Sequence, residues 1–147
     1  MKKLSTVQRH LNKIYSINYG GCGVSALAMY RWLKKNKMLV GDEYFVFLYV
    51  SYDSNYDVND KILKRKRSRK KIDSGSHIML HHNGQLFDSM GSEIQRRYVK
   101  RHDNITEKQL LDALNYGGWN DSFDREEYIP KIMRMLKIDL NDVEIYI

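Results

Sequence analysis

The chain contains one cysteine, Cys22, which follows Gly20 and Gly21 and begins an amphipathic segment. A lone cysteine forms no intramolecular disulfide, so either packing or thiol chemistry explains it. At the start of a helix, the positive end of the helix stabilises the thiolate that attacks carbonyl carbons. The glycines leave space for a substrate and let backbone N–H groups face a developing oxyanion. A lone cysteine on an apolar helix face is more often a small buried apolar residue, and it is the glycines together with a matching histidine and acid later in the chain that favour a nucleophile.

A histidine and an acid lie on the two strands of a predicted hairpin. Asn83-Gly84 is typical of a two-residue turn, and in that register His82 faces Gln85. Side chains alternate along a strand, so one face carries His77, Met79, Asp88 and Met90. His77 and Asp88 are then diagonal neighbours. A carboxylate that orients a histidine is what a general base needs.

Two stretches resemble the papain-like Cys-His-Asp superfamily: GGCGVSALAMYRWL and GSHIMLHHNGQLFDSMG. The second is similar to small viral and bacterial members, which are cysteine peptidase-like or transglutaminase-like. The resemblance implies a cysteine-bearing helix packed on an antiparallel sheet. It implies Cys22 as the nucleophile, His77 as general base and acid, and Asp88 as the group that orients His77.

The oxyanion donor departs from papain, which has a glutamine six residues before its nucleophile. Here that position is Ser16. The expected substitutes are the backbone N–H of Cys22 and the side chain of Asn18, supported by Gly20 and Gly21.

Simpler interpretations compete with this triad. His77 is structural in one of them, and His81, on the same face by alternation, is a rival general base. Asp88 in another only caps the end of its strand, as turn-forming aspartates do. A zinc site at the histidine cluster is disfavoured, because His77 and His81 are about 13 Å apart along a strand. No metal and no cofactor are expected.

Hydrophobic periodicity and capping signals predict an α+β chain. The predicted helices are Thr6–Tyr15, a segment from Cys22, Thr106–Asn115 with a capping box, and Glu126–Leu136 with Pro130 in its first turn or at a kink. The predicted strands are Tyr44–Tyr52, Ser76–His82, Gln85–Ser89 and an edge strand Val143–Ile147.

The net charge of +7 is confined to one segment. The run KILKRKRSRKK, residues 61–71, carries eight basic residues and leaves 17 basic and 18 acidic residues elsewhere. Nucleic-acid-binding domains usually spread positive charge over a face. The run is a solvated loop, a clamp for an acidic substrate or partner, or a weak nucleic-acid contact that salt would weaken. The residues expected to bind a partner are Lys64, Arg65, Lys66, Arg67, Arg69, Lys70 and Lys71.

Length and composition predict a single papain-like domain over residues 1–147, with a polar and basic loop at 53–75. No segment has the length of a membrane span or the apolar core of a secretory signal. A single thiol suits a reducing compartment, so we expect a cytoplasmic protein, in the host cell if it is encoded by a phage.

The sequence therefore predicts a thiol-dependent acyl-transfer enzyme that acts on a protein or peptide. Peptide or isopeptide hydrolysis is the leading reaction, and deamidation or transglutamination uses the same groups. The alternative is a non-catalytic basic binding protein, such as a phage-encoded inhibitor, that acts through the basic run.

Overall fold

A computed structural model describes residues 3–14, 17, 21–52, 73–90, 99–116 and 124–138. Over these residues the protein is α+β, with four helices and one antiparallel sheet of four strands. The helices are α1 (Leu4–Asn12), α2 (Cys22–Lys35), α3 (Glu107–Tyr116) and α4 (Arg125–Met135). The strands are β1 (Tyr44–Tyr52), β2 (Asp73–His82), β3 (Gln85–Phe87) and β4 (Val99–Ile105).

The sheet has the strand order β3-β2-β1-β4. The central strand β1 is rich in aromatic and β-branched residues, which favour a paired and half-buried position, and its bounds are those predicted. It pairs with β2 from Tyr44 opposite His81 to Tyr52 opposite Asp73. Because this pairing continues to the end of β1, β2 begins at Asp73, within the segment predicted to be loop.

The predicted hairpin is confirmed at its turn. Asn83 and Gly84 have φ of 51° and 76°, the left-handed conformations of a two-residue hairpin turn. The predicted register holds, with His82 opposite Gln85. However, β3 ends at Phe87, so the prediction of a strand to Ser89 was wrong by two residues. Met90 lies in the following turn and is 74% exposed, so it does not face His77 across a ladder.

The main core lies between the helices and one face of the sheet. In α2 every residue from Cys22 to Met29 is buried, which is more than the single apolar stripe predicted. A Cβ added to Gly23 would lie 3.2 Å from Cδ1 of Ile78 and 3.0 Å from Cδ2 of Leu114. The start of α2 is therefore in close contact with both β2 and α3.

The caps of α3 and α4 follow from local sequence. Thr106 and Gln109 form the predicted capping box: Oγ1 of Thr106 accepts from the N–H of Gln109 at 3.2 Å, and Oε1 of Gln109 accepts from the N–H of Thr106 at 2.8 Å. The N-cap Asp124 accepts from the N–H of Glu127 at the start of α4. Pro130 is the sixth residue of α4, so its placement in the first turn was wrong, and the helix continues through it.

The edge strand β4 was not predicted. Its sequence, VKRHDNI, lacks the apolar alternation that identifies a half-buried strand. The strand β4 forms because it pairs with β1, where Ile105 lies opposite Phe45. The predicted strand Val143–Ile147 lies outside the described residues. None of the described helices has the length and apolar character needed to cross a membrane.

Candidate active site

Cys22 is the first residue of α2. Gly21 is the N-cap, and the N–H of Ser25 donates to the Gly21 carbonyl at 2.9 Å, which closes the first helical turn. The first turn contains no acidic residue, so the positive end of the helix acts on the sulfur without a nearby carboxylate from that turn. The cysteine is 5% exposed.

His77 contacts both other members of the predicted triad. Its Nε2 lies 3.0 Å from Oδ2 of Asp88, and the side chain of Cys22 is close enough to raise the pKa of His77. Since Nε2 faces the carboxylate, Nδ1 is the nitrogen left for the sulfur. Three elements thus bring Cys22, His77 and Asp88 together: the start of α2, the middle of β2 and the end of the hairpin.

Asp88 is fixed on three sides. One carboxylate oxygen faces His77, and the other accepts from the N–H of Met90 at 2.8 Å. Its backbone carbonyl accepts from Nε2 of Gln8 in α1 at 2.6 Å. Orientation of the histidine and capping of the turn were alternatives in the sequence, and Asp88 does both.

The electrostatics of the site favour a charged imidazole. Burial alone lowers the pKa of His77, but the hydrogen bonds to Asp88 and Cys22 and the charges of these two groups outweigh it and raise the pKa to about 9. At neutral pH the ring therefore carries a proton between two acids. An imidazolium next to the sulfur stabilises the thiolate.

His81, the rival general base, is engaged elsewhere. Its Nδ1 donates to the backbone carbonyl of Asp42 at 2.8 Å, and its ring stacks on Tyr44 with centroids 4.2 Å apart. These contacts hold His81 at the tip of the hairpin. His77, which contacts Asp88, therefore stays the candidate general base.

Within the described ranges, metal-ligand geometry is found at Asp42, Glu43 and His82, which offer one ligand atom each within 4.8 Å of one another. Sequence reasoning had considered histidines alone and missed this group. Both oxygens of Asp42 accept turn N–H groups, from Asn83 and Gly84. Both oxygens of Glu43 accept backbone N–H groups as well, and one also contacts His82. The backbone bonds therefore explain Asp42 as a clamp on the hairpin turn and Glu43 as a clamp on the segment that precedes β1.

The other predicted site residues lie mostly outside the described residues. Asn18 and Gly20 are among these, so the proposed oxyanion side chain is not placed. The basic run is outside as well, including Lys64, Arg65, Lys66, Arg67, Arg69, Lys70 and Lys71. Gly21 is placed, as the N-cap of α2.

Sequence reasoning missed Gln8. Its signal was weak: a polar residue between Val7 and Leu11, which form the apolar stripe of α1. Comparisons of the chain with models of protein families, with curated proteins and with solved structures find no match. The case for function therefore rests on the chemistry of the site.

Proposed function

We propose that the protein is a papain-like, thiol-dependent acyl-transfer enzyme with Cys22 as the nucleophile, His77 as the general acid and base, and Asp88 as the orienting carboxylate. The observation that carries the proposal is His77, which lies 3.0 Å from Asp88 and whose pKa is raised by both Asp88 and Cys22. The three residues come from three separate elements of the fold. A buried cysteine that served only packing would not need a charged histidine as its neighbour.

Acylation follows from these positions. The thiolate of Cys22 attacks the carbonyl carbon of an amide, and a C–S bond forms while the carbonyl oxygen becomes an oxyanion. Backbone N–H groups at the start of α2 stabilise that oxygen. The His77 imidazolium gives its proton to the leaving nitrogen as the C–N bond breaks.

Deacylation reverses the role of the histidine. Neutral His77 takes a proton from water, the resulting hydroxide attacks the thioester, and the C–S bond breaks to release a carboxylic acid. Asp88 stabilises the imidazolium in both steps. Hydrolysis of a peptide or isopeptide bond in a protein is the reaction we propose, in a cytoplasmic setting where a single thiol stays reduced.

The first test is the pH dependence of Cys22 alkylation by iodoacetamide. We expect the parent to react about tenfold faster at pH 6.5 than His77→Ala, because the imidazolium stabilises the thiolate. Intact mass and peptide mapping identify the modified residue.

His82→Ala is the matched control, since His82 lies on the same strand but contacts Glu43 instead. It should leave the alkylation profile unchanged. A thiol that is inert in the folded parent, or equally reactive with and without His77, would remove the catalytic proposal and favour the binding protein that acts through the basic run.

A further inference from the structure

Helix α1 contacts the candidate site through one side chain. Gln8 is 8% exposed, and its Nε2 donates to the backbone carbonyl of Asp88 at 2.6 Å. The two residues are 80 positions apart in the chain. The contact therefore joins the beginning of the chain to the residue that orients His77.

The burial of Gln8 calls for an explanation. Its neighbours on the buried side of α1, Val7 and Leu11, are fully buried, and an apolar residue would suit the position as well. Burying an amide is costly unless it is hydrogen-bonded. The bond to the Asp88 carbonyl offsets part of that cost, so the identity of Gln8 is related to Asp88.

Asp88 lies where the sheet gives little restraint. Strand β3 ends at Phe87, and Asp88 forms an isolated bridge before the turn begins. A small rotation of its backbone would carry Oδ2 away from His77. The side-chain amide of Gln8 in α1 donates to the backbone carbonyl of Asp88. One residue further on, Oγ of Ser89 lies 3.5 Å from Oδ1 of Asn12, which is also in α1.

We propose that Gln8 is a positioning residue: it fixes the backbone of Asp88, and thereby keeps the Asp88 carboxylate in line with Nε2 of His77. The inference rests on the proposed function for its catalytic meaning. Gln8 itself touches no reacting atom and acts through Asp88.

The test compares Gln8→Met, which keeps the length of the side chain but donates no hydrogen bond, with Val7→Ala on the same helix. Val7 is fully buried in the main core, so Val7→Ala weakens the packing of α1 without removing the bond to Asp88. NMR titration of the His77 ring is the first measurement. We expect Gln8→Met to lower the pKa of His77 by about one pH unit, a tenfold loss of proton affinity, and Val7→Ala to leave it unchanged.

A double-mutant cycle separates positioning from general destabilisation. Gln8→Met should slow Cys22 alkylation at pH 6.5 roughly three- to tenfold in the parent, but cause no further loss in an Asp88→Ala background. Equal effects in both backgrounds would overturn the inference, as would a His77 titration that Gln8→Met and Val7→Ala shift alike. If Gln8→Met does not fold, Gln8→Asn serves, since its shorter amide does not reach the carbonyl.

The two proposals fail in different ways. If Cys22 is inert in the parent but Gln8→Met still shifts the His77 titration, the proposed function is wrong and the positioning of Asp88 stands. If the parent thiol is reactive and Gln8→Met behaves like Val7→Ala, the positioning role alone is wrong.

Discussion

His77 is the residue at which opposing physical effects meet. Burial favours its neutral form, because a charge loses hydration in the protein interior. Asp88 and Cys22 favour the charged form, and together they prevail, so the pKa rises from its ordinary value of 6.5 to about 9. A group whose pKa is higher in the folded state binds its proton more tightly there, which links the charge of His77 to the stability of the fold.

The stability of the protein should therefore fall between pH 6.5 and pH 9. Below the unfolded pKa of His77 both states are protonated and the contribution to stability is fully present. It is lost as the pH rises through the folded value of about 9. The loss should be smaller than the roughly 3 kcal/mol that the His77 difference alone would give, because formation of the Cys22 thiolate releases a proton in the same pair. Urea unfolding at several pH values across this range measures it.

His77→Gln is the control for this pH dependence, because glutamine can donate to Asp88 but does not titrate. The variant should show a nearly flat profile over the same range. A fall in His77→Gln as large as that of the parent would assign the effect to other groups.

At the scale of elements, local sequence signals were sufficient where the hydrogen bonds join residues that are close together in the chain. The Asn83-Gly84 turn and the Thr106 capping box were predicted and confirmed because each is decided within a few residues. The end of β3 and the existence of β4 depend on pairing partners far along the chain. The same holds for Gln8 of α1, whose hydrogen-bond partner, Asp88, is 80 residues away. Contacts between residues so far apart in the chain leave little periodic pattern in the sequence from which they could be predicted.

The packing of α2 against the sheet is sensitive to the size of the side chain at Gly23. An added Cβ would lie 3.0 Å from Leu114 and 3.2 Å from Ile78, so Gly23→Val should overpack this contact and lower the free energy of unfolding by about 1–3 kcal/mol. The variant should also slow alkylation of Cys22, because the start of α2 must move away from β2. Urea unfolding and the iodoacetamide assay measure the two effects.

Lys34→Val, at an exposed position of the same helix, controls for the cost of a β-branched residue in a helix. It should change stability by roughly 0.5 kcal/mol or less. If Gly23→Val is no worse than Lys34→Val, the packing of α2 against Ile78 and Leu114 is not tight.

At the scale of the whole molecule, charge and chemistry belong to different parts of the sequence. The run 61–71 holds eight basic residues, and the remaining 17 basic and 18 acidic residues almost balance. The candidate triad lies at Cys22, His77 and Asp88, and its ion pair forms between its own members. The net charge of +7 therefore predicts attraction to polyanions, and it carries no information about the reactivity of the thiol.

Replacing by serine the seven residues of the run that are predicted to bind a partner should separate these two properties. The changed residues are Lys64, Arg65, Lys66, Arg67, Arg69, Lys70 and Lys71. We expect retention on heparin to be lost, since the sum of the other charges does not attract a polyanion. The thermal midpoint and the pH profile of Cys22 alkylation should stay unchanged.

For a matched comparison, serine at Arg65, Lys66 and Arg67 should reduce retention on heparin more than serine at the exposed Lys34, Lys37 and Lys108. Equal reductions would show that dispersed charge governs binding, and a loss of thiol reactivity in the sevenfold variant would tie the basic run to the active site.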